Sequence, residues 1–248
     1  MRSARGAQVL VRIGLLALLA TSSLMACGSD APPNEGAGGT GAATEPLLPW
    51  AVGNSWTYRV TEAGAVSEKT TTVMEQAKVG GVGALKDTQA YFVVTMKGAD
   101  QKDKTESYQA PDAANPDRIV RYRELSYGAM TGALQLEEYW EPARMHVDGS
   151  KVTGDGVSWI DAYTEFKLPV GQQASPGAQT HDQWIVLSAD EAVDVPKGHF
   201  AHAVHLQKTG GSTKEYWYVR GVGKVRETGG QTEELIDYHL NASVNPLK

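Results

Sequence analysis

Apolar and polar side chains alternate along most of the chain after residue 55. In the first such stretch Trp56, Tyr58 and Val60 alternate with threonine and arginine residues. This period of two is typical of a strand with one buried face. No long stretch has apolar residues at spacings of three and four, so the crossover helices of a parallel α/β fold are missing. The pattern predicts an all-β, mainly antiparallel fold.

The alternating segments follow one another closely enough to form a meander. A single curved meander sheet or a half-open β-barrel is therefore the predicted architecture, with a β-sandwich as the alternative. The stretch 127–141 fits either a hairpin or a short helix, and we favour the hairpin. Asp148-Gly149 predicts a tight type I′ turn that joins 144–147 to 151–153. The other predicted strands are 56–61, 68–74, 90–96, 105–110, 118–124, 184–187, 200–207, 213–220, 224–228 and 233–240.

The first 27 residues have the pattern of a bacterial lipoprotein signal. Three arginines precede a short apolar run, 13–20, and Leu-Met-Ala leads to Cys27, the single cysteine of the chain. This run is much shorter than the ~20 apolar residues of a transmembrane helix, and small residues at its end are typical of a cleavage site. We predict acylation of Cys27 with chains such as palmitate. Gly28 follows where an aspartate would resemble an inner-membrane retention signal, which favours the outer membrane.

Three parts are predicted along the chain. Residues 1–26 are the signal peptide, 27–45 the lipidated cysteine and a flexible tether, and 46–248 a β-rich domain. The tether contains no aromatic or bulky aliphatic residue, so it has too little apolar surface to bury. The remaining roughly two hundred residues suit one all-β domain with a substantial core.

Charge and cysteine content exclude some functions. Cleavage before Cys27 removes three arginines and no acidic residue, which leaves 20 Lys and Arg against 29 Asp and Glu. Such an acidic chain is a poor ligand for nucleic acid. Acylation of Cys27 leaves no thiol for a disulfide, so stability must come from burial and strand pairing.

Two segments resemble a group of uncharacterised secreted bacterial lipoproteins. They are 46–58 (PLLPWAVGNSWTY) and 215–227 (EYWYVRGVGKVRE). The shared elements are Pro-Leu, Val-Gly-Asn and Trp-Tyr in the first segment and Trp-Tyr and Gly-Val-Gly in the second. The resemblance implies a β-rich envelope domain with a half-open barrel like that of lipoprotein-carrier proteins. It brings no catalytic residues.

Three clustered histidines, His199, His202 and His205, are the basis of an alternative function, a metal-dependent envelope hydrolase. On a strand His202 faces away from the other two, whereas zinc needs three or four converging ligands. The chain also lacks the Gly-x-Ser-x-Gly and His-Glu-x-x-His motifs, and its carboxylate groups at 137–141 and 233–237 are predicted to face solvent. We predict no catalytic residues, no metal site and no cofactor.

Aromatic residues are the best candidates for a binding surface. They are Trp56, Tyr58, Tyr216, Trp217 and Tyr218. Alternation places Trp217 on one face of its strand and both neighbouring tyrosines on the other. We predict a membrane-anchored, non-enzymatic binding or assembly module of the cell envelope. Its expected partners are the lipid bilayer, through acylated Cys27, and either an apolar small molecule or another envelope protein.

Overall fold

Twelve β-strands make up almost all of the fold. The computed structural model describes residues 44–98 and 102–241, so the predicted signal peptide, Cys27 and most of the tether lie outside the described residues. No helix in the described part is long and apolar enough to cross a lipid bilayer. The strands are β1 (Ser55–Glu62), β2 (Ala65–Lys78), β3 (Gln89–Lys97), β4 (Asp103–Asp112), β5 (Asn115–Tyr127), β6 (Leu134–Asp148), β7 (Ser158–Pro169), β8 (Ala178–Val195), β9 (Gly198–Thr209), β10 (Lys214–Val219), β11 (Gly223–Thr228) and β12 (Thr232–His239).

The strands form one closed antiparallel barrel. Each strand pairs with the next in sequence, and β1 pairs with β12 from Ser55 opposite His239 to Thr61 opposite Thr232. The all-β antiparallel meander predicted from the sequence is therefore confirmed, and it closes into a barrel instead of stacking as a sandwich. Within β1, Trp56 and Tyr58 are buried and Arg59 is exposed, as the alternation predicts.

Two local predictions had different outcomes. The stretch 127–141 forms the end of β5 and the start of β6, which confirms the hairpin. The tight turn at Asp148-Gly149 is wrong, because Gly149 lacks the positive φ of a type I′ turn and begins a 3₁₀ turn, Gly149–Lys151. The Asp148 carboxylate accepts hydrogen bonds from the backbone N–H and hydroxyl of Ser150 at 3.1 and 2.6 Å. This capping favours the 3₁₀ turn, and the next strand starts only at Ser158.

An even number of strands places both ends of the described chain at the same end of the barrel. We call this the terminus end; it also carries the loops 79–88, 149–157 and 220–222. The opposite end, the turn end, carries the short connections 63–64, 128–133, 210–213 and 229–231. The two ends differ in how they are filled.

The segment Glu45–Trp50, called the plug below, closes the terminus end. Its Leu47 and Leu48 are buried and pack with apolar residues of β5, β6, β8 and β9, such as Ile119 and Leu206. Arg220 fixes the plug from the β10–β11 loop. Its guanidinium donates to the carbonyl oxygens of residues 45 and 149 at 2.7 and 3.0 Å and to the Asp117 carboxylate at 3.0 Å.

A second apolar cluster contains interior residues of β1–β3, such as Trp56 and Val93, and extends to β10 and β11. The end of the β8–β9 hairpin lies against these strands, so that Val193 and Phe200 pack with Trp217 and Val225. The hairpin also reaches β12, where the backbone N–H of Lys197 donates to the carbonyl of residue 235 at 2.9 Å. Trp217 therefore packs beneath the β8–β9 hairpin, outside the cavity described next.

The contacts of Arg220 predict a large loss of stability on its removal. Its side chain is 13% exposed, and Arg220→Met removes the donor to Asp117 Oδ2 and to the carbonyl of residue 45. The backbone N–H groups of Leu47 and Val152 still donate to Asp117 Oδ1 and to the carbonyl of residue 149. We expect the free energy of unfolding in urea to fall by about 2–4 kcal/mol. The control is Arg59→Met, which removes an exposed ion pair with Glu234 and should cost less than about 1 kcal/mol. Equal losses in the two variants would contradict the role given to Arg220.

Candidate functional site

A cavity of about 540 Å³ occupies the barrel interior beyond the plug. Leu48 and Trp50 of the plug line it at the terminus end. It extends to Lys97, Asp103 and Gln231, which lie next to the connections of the turn end and are partly exposed. The apolar half of the interior is thus packed, and the half nearer the turn end is hollow.

Aromatic side chains form part of the cavity wall. Of the five aromatic residues predicted to bind a ligand, Trp56, Tyr58, Tyr216 and Tyr218 line the cavity, together with Trp184. Trp217 does not, because it lies on the opposite face of β10, where it stacks on His205 at 4.0 Å between ring centroids and donates to the Glu191 carboxylate at 2.6 Å. The structure therefore brings together four of the five predicted residues.

Charged side chains form another part of the wall, next to uncharged polar residues such as Thr71 and Gln109, and cations outnumber carboxylates. The cavity thus has an excess of positive charge inside a chain whose formal net charge is −6. The Asp182 carboxylate lies just behind the wall and compensates part of this excess. The cations are Lys69, Lys97, Arg121, Arg144, Lys208, Lys214 and Lys224, and the carboxylates are Asp103, Glu124, Glu227 and Glu233.

Three of the lysines and two of the glutamates form one compact network. Glu233 binds Lys69 and also Lys224, the latter at 2.7 Å, while Glu227 binds Lys224 and also Lys214, the latter at 2.6 Å. Burial opposes these charges, but Lys224 and the other cations hold the pKa of Glu227 below its ordinary value. The two glutamates in turn raise the pKa of Lys224 well above its ordinary value. Each lysine of this network thus binds a carboxylate directly, although three lysines and two glutamates leave a net charge of +1.

A second group of charges lies where β6 and β7 part. The two strands pair from 136 to 141 on β6. Farther along β6 they separate, and a side chain of β7 connects them: the Asp161 carboxylate accepts from the backbone N–H of Met145 at 2.8 Å. Arg144 binds Asp182 at 2.8 Å, and Lys208 lies 3.8 Å from the same carboxylate oxygen. Burial and the nearby Arg144 lower the pKa of Lys208 to about 8.

His146 is a titratable residue at the plugged end of the cavity. Its Nδ1 lies 3.2 Å from the guanidinium of Arg121, which also binds Glu124 at 2.5 Å. Its ring meets Trp50 of the plug edge to face at 6.2 Å between centroids. Burial and the nearby cation Arg121 lower the pKa of His146 well below its ordinary value. The imidazole is therefore neutral at physiological pH.

The three clustered histidines contact separate groups. His199 and His202 are exposed and contact Asp194 and Asp190 at 2.8 and 2.9 Å. His205 stacks on the indole of Trp217. Among residues 44–98 and 102–241, no three His, Cys, Asp or Glu side chains come together as a metal site would require.

The interior charges were missed by reasoning from the sequence. The expectation that 233–237 faces solvent is wrong for Glu233, which is 1% exposed and points into the barrel. The alternation of side chains did indicate inward charges, because it places Lys214 on the same strand face as Tyr216 and Tyr218, and Glu233 on the same face as Leu235. A charge on the inward face of a strand indicates a polar interior, but only once the strand is known to belong to a wide barrel.

Comparison with known proteins leaves the family of the chain open. No protein-family model and no curated protein matches it. Among solved structures it is similar to a protein of YmcC-like fold from Bacteroides fragilis, with 12% sequence identity, a TM-score of 0.44, and coverage of 79% of this chain and 100% of that one. A similarity at this level supports no argument about function. The resemblance to secreted lipoproteins stays a prediction.

The buried neutral His146 predicts a loss of stability in mild acid. Below about pH 6.5 the unfolded chain takes up a proton that the folded chain does not, so the free energy of unfolding falls as the pH decreases. Between pH 7.5 and 5.0 we expect His146 to account for a loss of about 1–2 kcal/mol. Urea unfolding of His146→Asn should show a correspondingly smaller pH dependence than the wild type. The exposed control His199→Asn should keep the wild-type dependence; identical profiles for all three proteins would contradict this assignment.

Proposed function

We propose that the protein is a lipid-anchored, non-enzymatic binding module of the cell envelope that holds a small ligand inside its barrel. The main support for this proposal is the cavity of about 540 Å³, which the plug closes at the terminus end and which extends to the turn end. Its volume lies within the roughly 300–1,000 Å³ of small-molecule sites. Convergent polar groups and aromatic walls are the usual composition of such sites.

The wall favours a ligand that is partly apolar and partly polar. A ligand that is apolar throughout, such as an acyl chain alone, would displace water from the cationic side chains and offer them no partner, which is costly. The indole and phenol rings offer flat apolar surface at the same time. We therefore replace the expected purely apolar ligand with a ring-bearing or amphipathic one.

The described chain enters the barrel at its plugged end. Thr44, the first described residue, lies beside the plug at the terminus end. The turn end is therefore the proposed route of ligand entry. The pair Cys27-Gly28 supports the outer membrane as the site of anchoring.

A metal-dependent hydrolase is supported less well. It would need His199, His202 and His205 to converge, and each contacts a different group. An assembly role with another envelope protein would need a continuous exposed apolar patch. Large exposed apolar side chains among the described residues, such as Ile160, Met130 and Val66, lie on different strands and loops.

The proposed anchor predicts acylation at a single residue. In a bacterial host that processes lipoproteins, the wild-type chain should incorporate labelled palmitate and sediment with membranes. Cys27→Ala should lose the label, because no other thiol exists in the chain. Gly28→Ala, which keeps the cysteine, is the control and should behave as wild type. Label retained by Cys27→Ala would refute the anchor.

The proposed cavity predicts binding of a neutral aromatic probe. The mature chain with Cys27→Ala, exported behind a non-lipoprotein signal peptide, can be titrated with N-phenyl-1-naphthylamine without detergent, and we expect saturable fluorescence enhancement. Thr71→Trp places an indole in the cavity and should weaken binding about tenfold or more. Thr70→Trp, the next residue on the outer face of β2, is the matched control and should bind as wild type. Equal effects of the two substitutions would contradict binding inside the barrel.

A further inference from the structure

We propose that Lys208, together with Arg144, binds an oxyanion of the ligand, a phosphate or a carboxylate carried on an aromatic or other ring. This inference rests on the proposed function, because it assigns the chemical class of the ligand held in the same cavity.

Lys208 is the interior lysine whose nearest carboxylate is already engaged. The other cavity lysines of the described chain each bind a carboxylate within 3 Å: Lys69, Lys214 and Lys224 bind Glu227 or Glu233, and Lys97 binds Glu62. Lys208 has Asp182 at 3.8 Å, beyond hydrogen-bond distance, and Arg144 holds the same carboxylate oxygen at 2.8 Å. One carboxylate thus faces two partly buried cations, and an oxyanion would supply the missing negative charge.

The neighbours of Lys208 provide a ring surface beside this charge. In the sheet Lys208 lies directly opposite Trp184 on β8 and Lys214 on β10. Its ammonium lies 5.8 Å from the Trp184 ring centroid, and the Tyr216 ring packs on that indole at 5.6 Å. A ligand that places an oxyanion at Lys208 would lay an attached ring near these two side chains. The geometry therefore favours a ring-bearing anion over a free inorganic one.

The electrostatic cost of Lys208 supports a binding role. Burial and the neighbouring cations lower its pKa to about 8, so its charged form costs stability at neutral pH. A bound anion would offset that cost, and strongly perturbed groups in a cavity are concentrated at functional sites. The charged or titratable groups that face Lys208 from the surrounding strands are Arg121, Arg144, His146, Asp182 and Lys214.

Two fluorescent probes that differ only by a sulfonate test the inference. They are 1-anilinonaphthalene-8-sulfonate and its neutral counterpart N-phenyl-1-naphthylamine, titrated against the mature Cys27→Ala chain. Lys208→Met should weaken binding of the sulfonate about tenfold or more, since a buried charge pair is lost, and should change binding of the neutral probe less than about twofold. Lys208→Arg should restore most of the sulfonate affinity. Lys104→Met removes a charge from the outer face of β4 and should change neither affinity.

The outcomes separate this inference from the proposed function. Loss of both probes in every protein, wild type included, refutes the cavity itself. Wild-type binding of both probes that Lys208→Met leaves unchanged overturns the oxyanion site and keeps the cavity. Unfolding midpoints of Lys208→Met at or above the wild type would show that the loss of affinity is not a loss of fold.

The pH dependence and competition complete the test. Sulfonate affinity of the wild type should fall as the pH rises above about 8, because Lys208 must be charged to bind. Lys208→Met should show a clearly weaker dependence, and the remainder comes from Lys69, whose pKa is also lowered to about 8 by burial and by Lys224. A wild-type affinity that stays constant to pH 10 would contradict the role of Lys208. Displacement of the sulfonate by phenyl phosphate or by benzoate supports the site, and the stronger competitor identifies the oxyanion as phosphate or carboxylate.

Discussion

The width of a twelve-strand barrel is the constraint on which the rest of this structure depends. Eight strands leave an interior that side chains can fill, and wider barrels need something else inside. Here the terminus end is filled by the plug, whose Leu47 and Leu48 complete an apolar core with residues of the wall. The other half stays hollow, so its wall can carry charged and aromatic side chains that a packed core would exclude. The plug and the cavity therefore both result from a barrel too wide for its wall side chains to fill.

The interior charges are organised by pairing. Around Glu227 and Glu233 each cation has a direct carboxylate partner, and the group is satisfied without a ligand. Around Asp182 two cations share one carboxylate, and the group is satisfied less well. Removing a partner from the first network would leave a buried unpaired charge, whereas supplying one to the second would relieve a cost. The proposed ligand site and the stability of the fold thus depend on different groups of charges in the same wall.

Most of the fold was predictable from the sequence because period two is a local signal. Trp56 and Tyr58 could be assigned to a buried face without knowing their neighbours, whereas alternation only placed Tyr216 on the face opposite Trp217. The number of strands in the barrel could not be predicted, since closure depends on the pairing of β1 with β12 across the domain. Strand β7 was also missed. The cavity charges were missed for the same reason, because only the closure of the barrel shows that Glu233 faces the interior and not solvent. Asp148 shows the local limit, since its own side chain caps the backbone and prevents the expected hairpin.

The strand order also has a consequence for how the chain folds. Every pairing except one joins consecutive strands, so most of the sheet can grow by adding one hairpin at a time at low loop-closure cost. The remaining pairing, β1 with β12, spans nearly the whole domain and carries that cost in a single step. Until it forms, both strands are open edges available to other chains. The hazard of aggregation during folding is therefore greatest just before closure, and contacts between the two ends, such as Asn54 with the backbone of residue 241, favour the closed state.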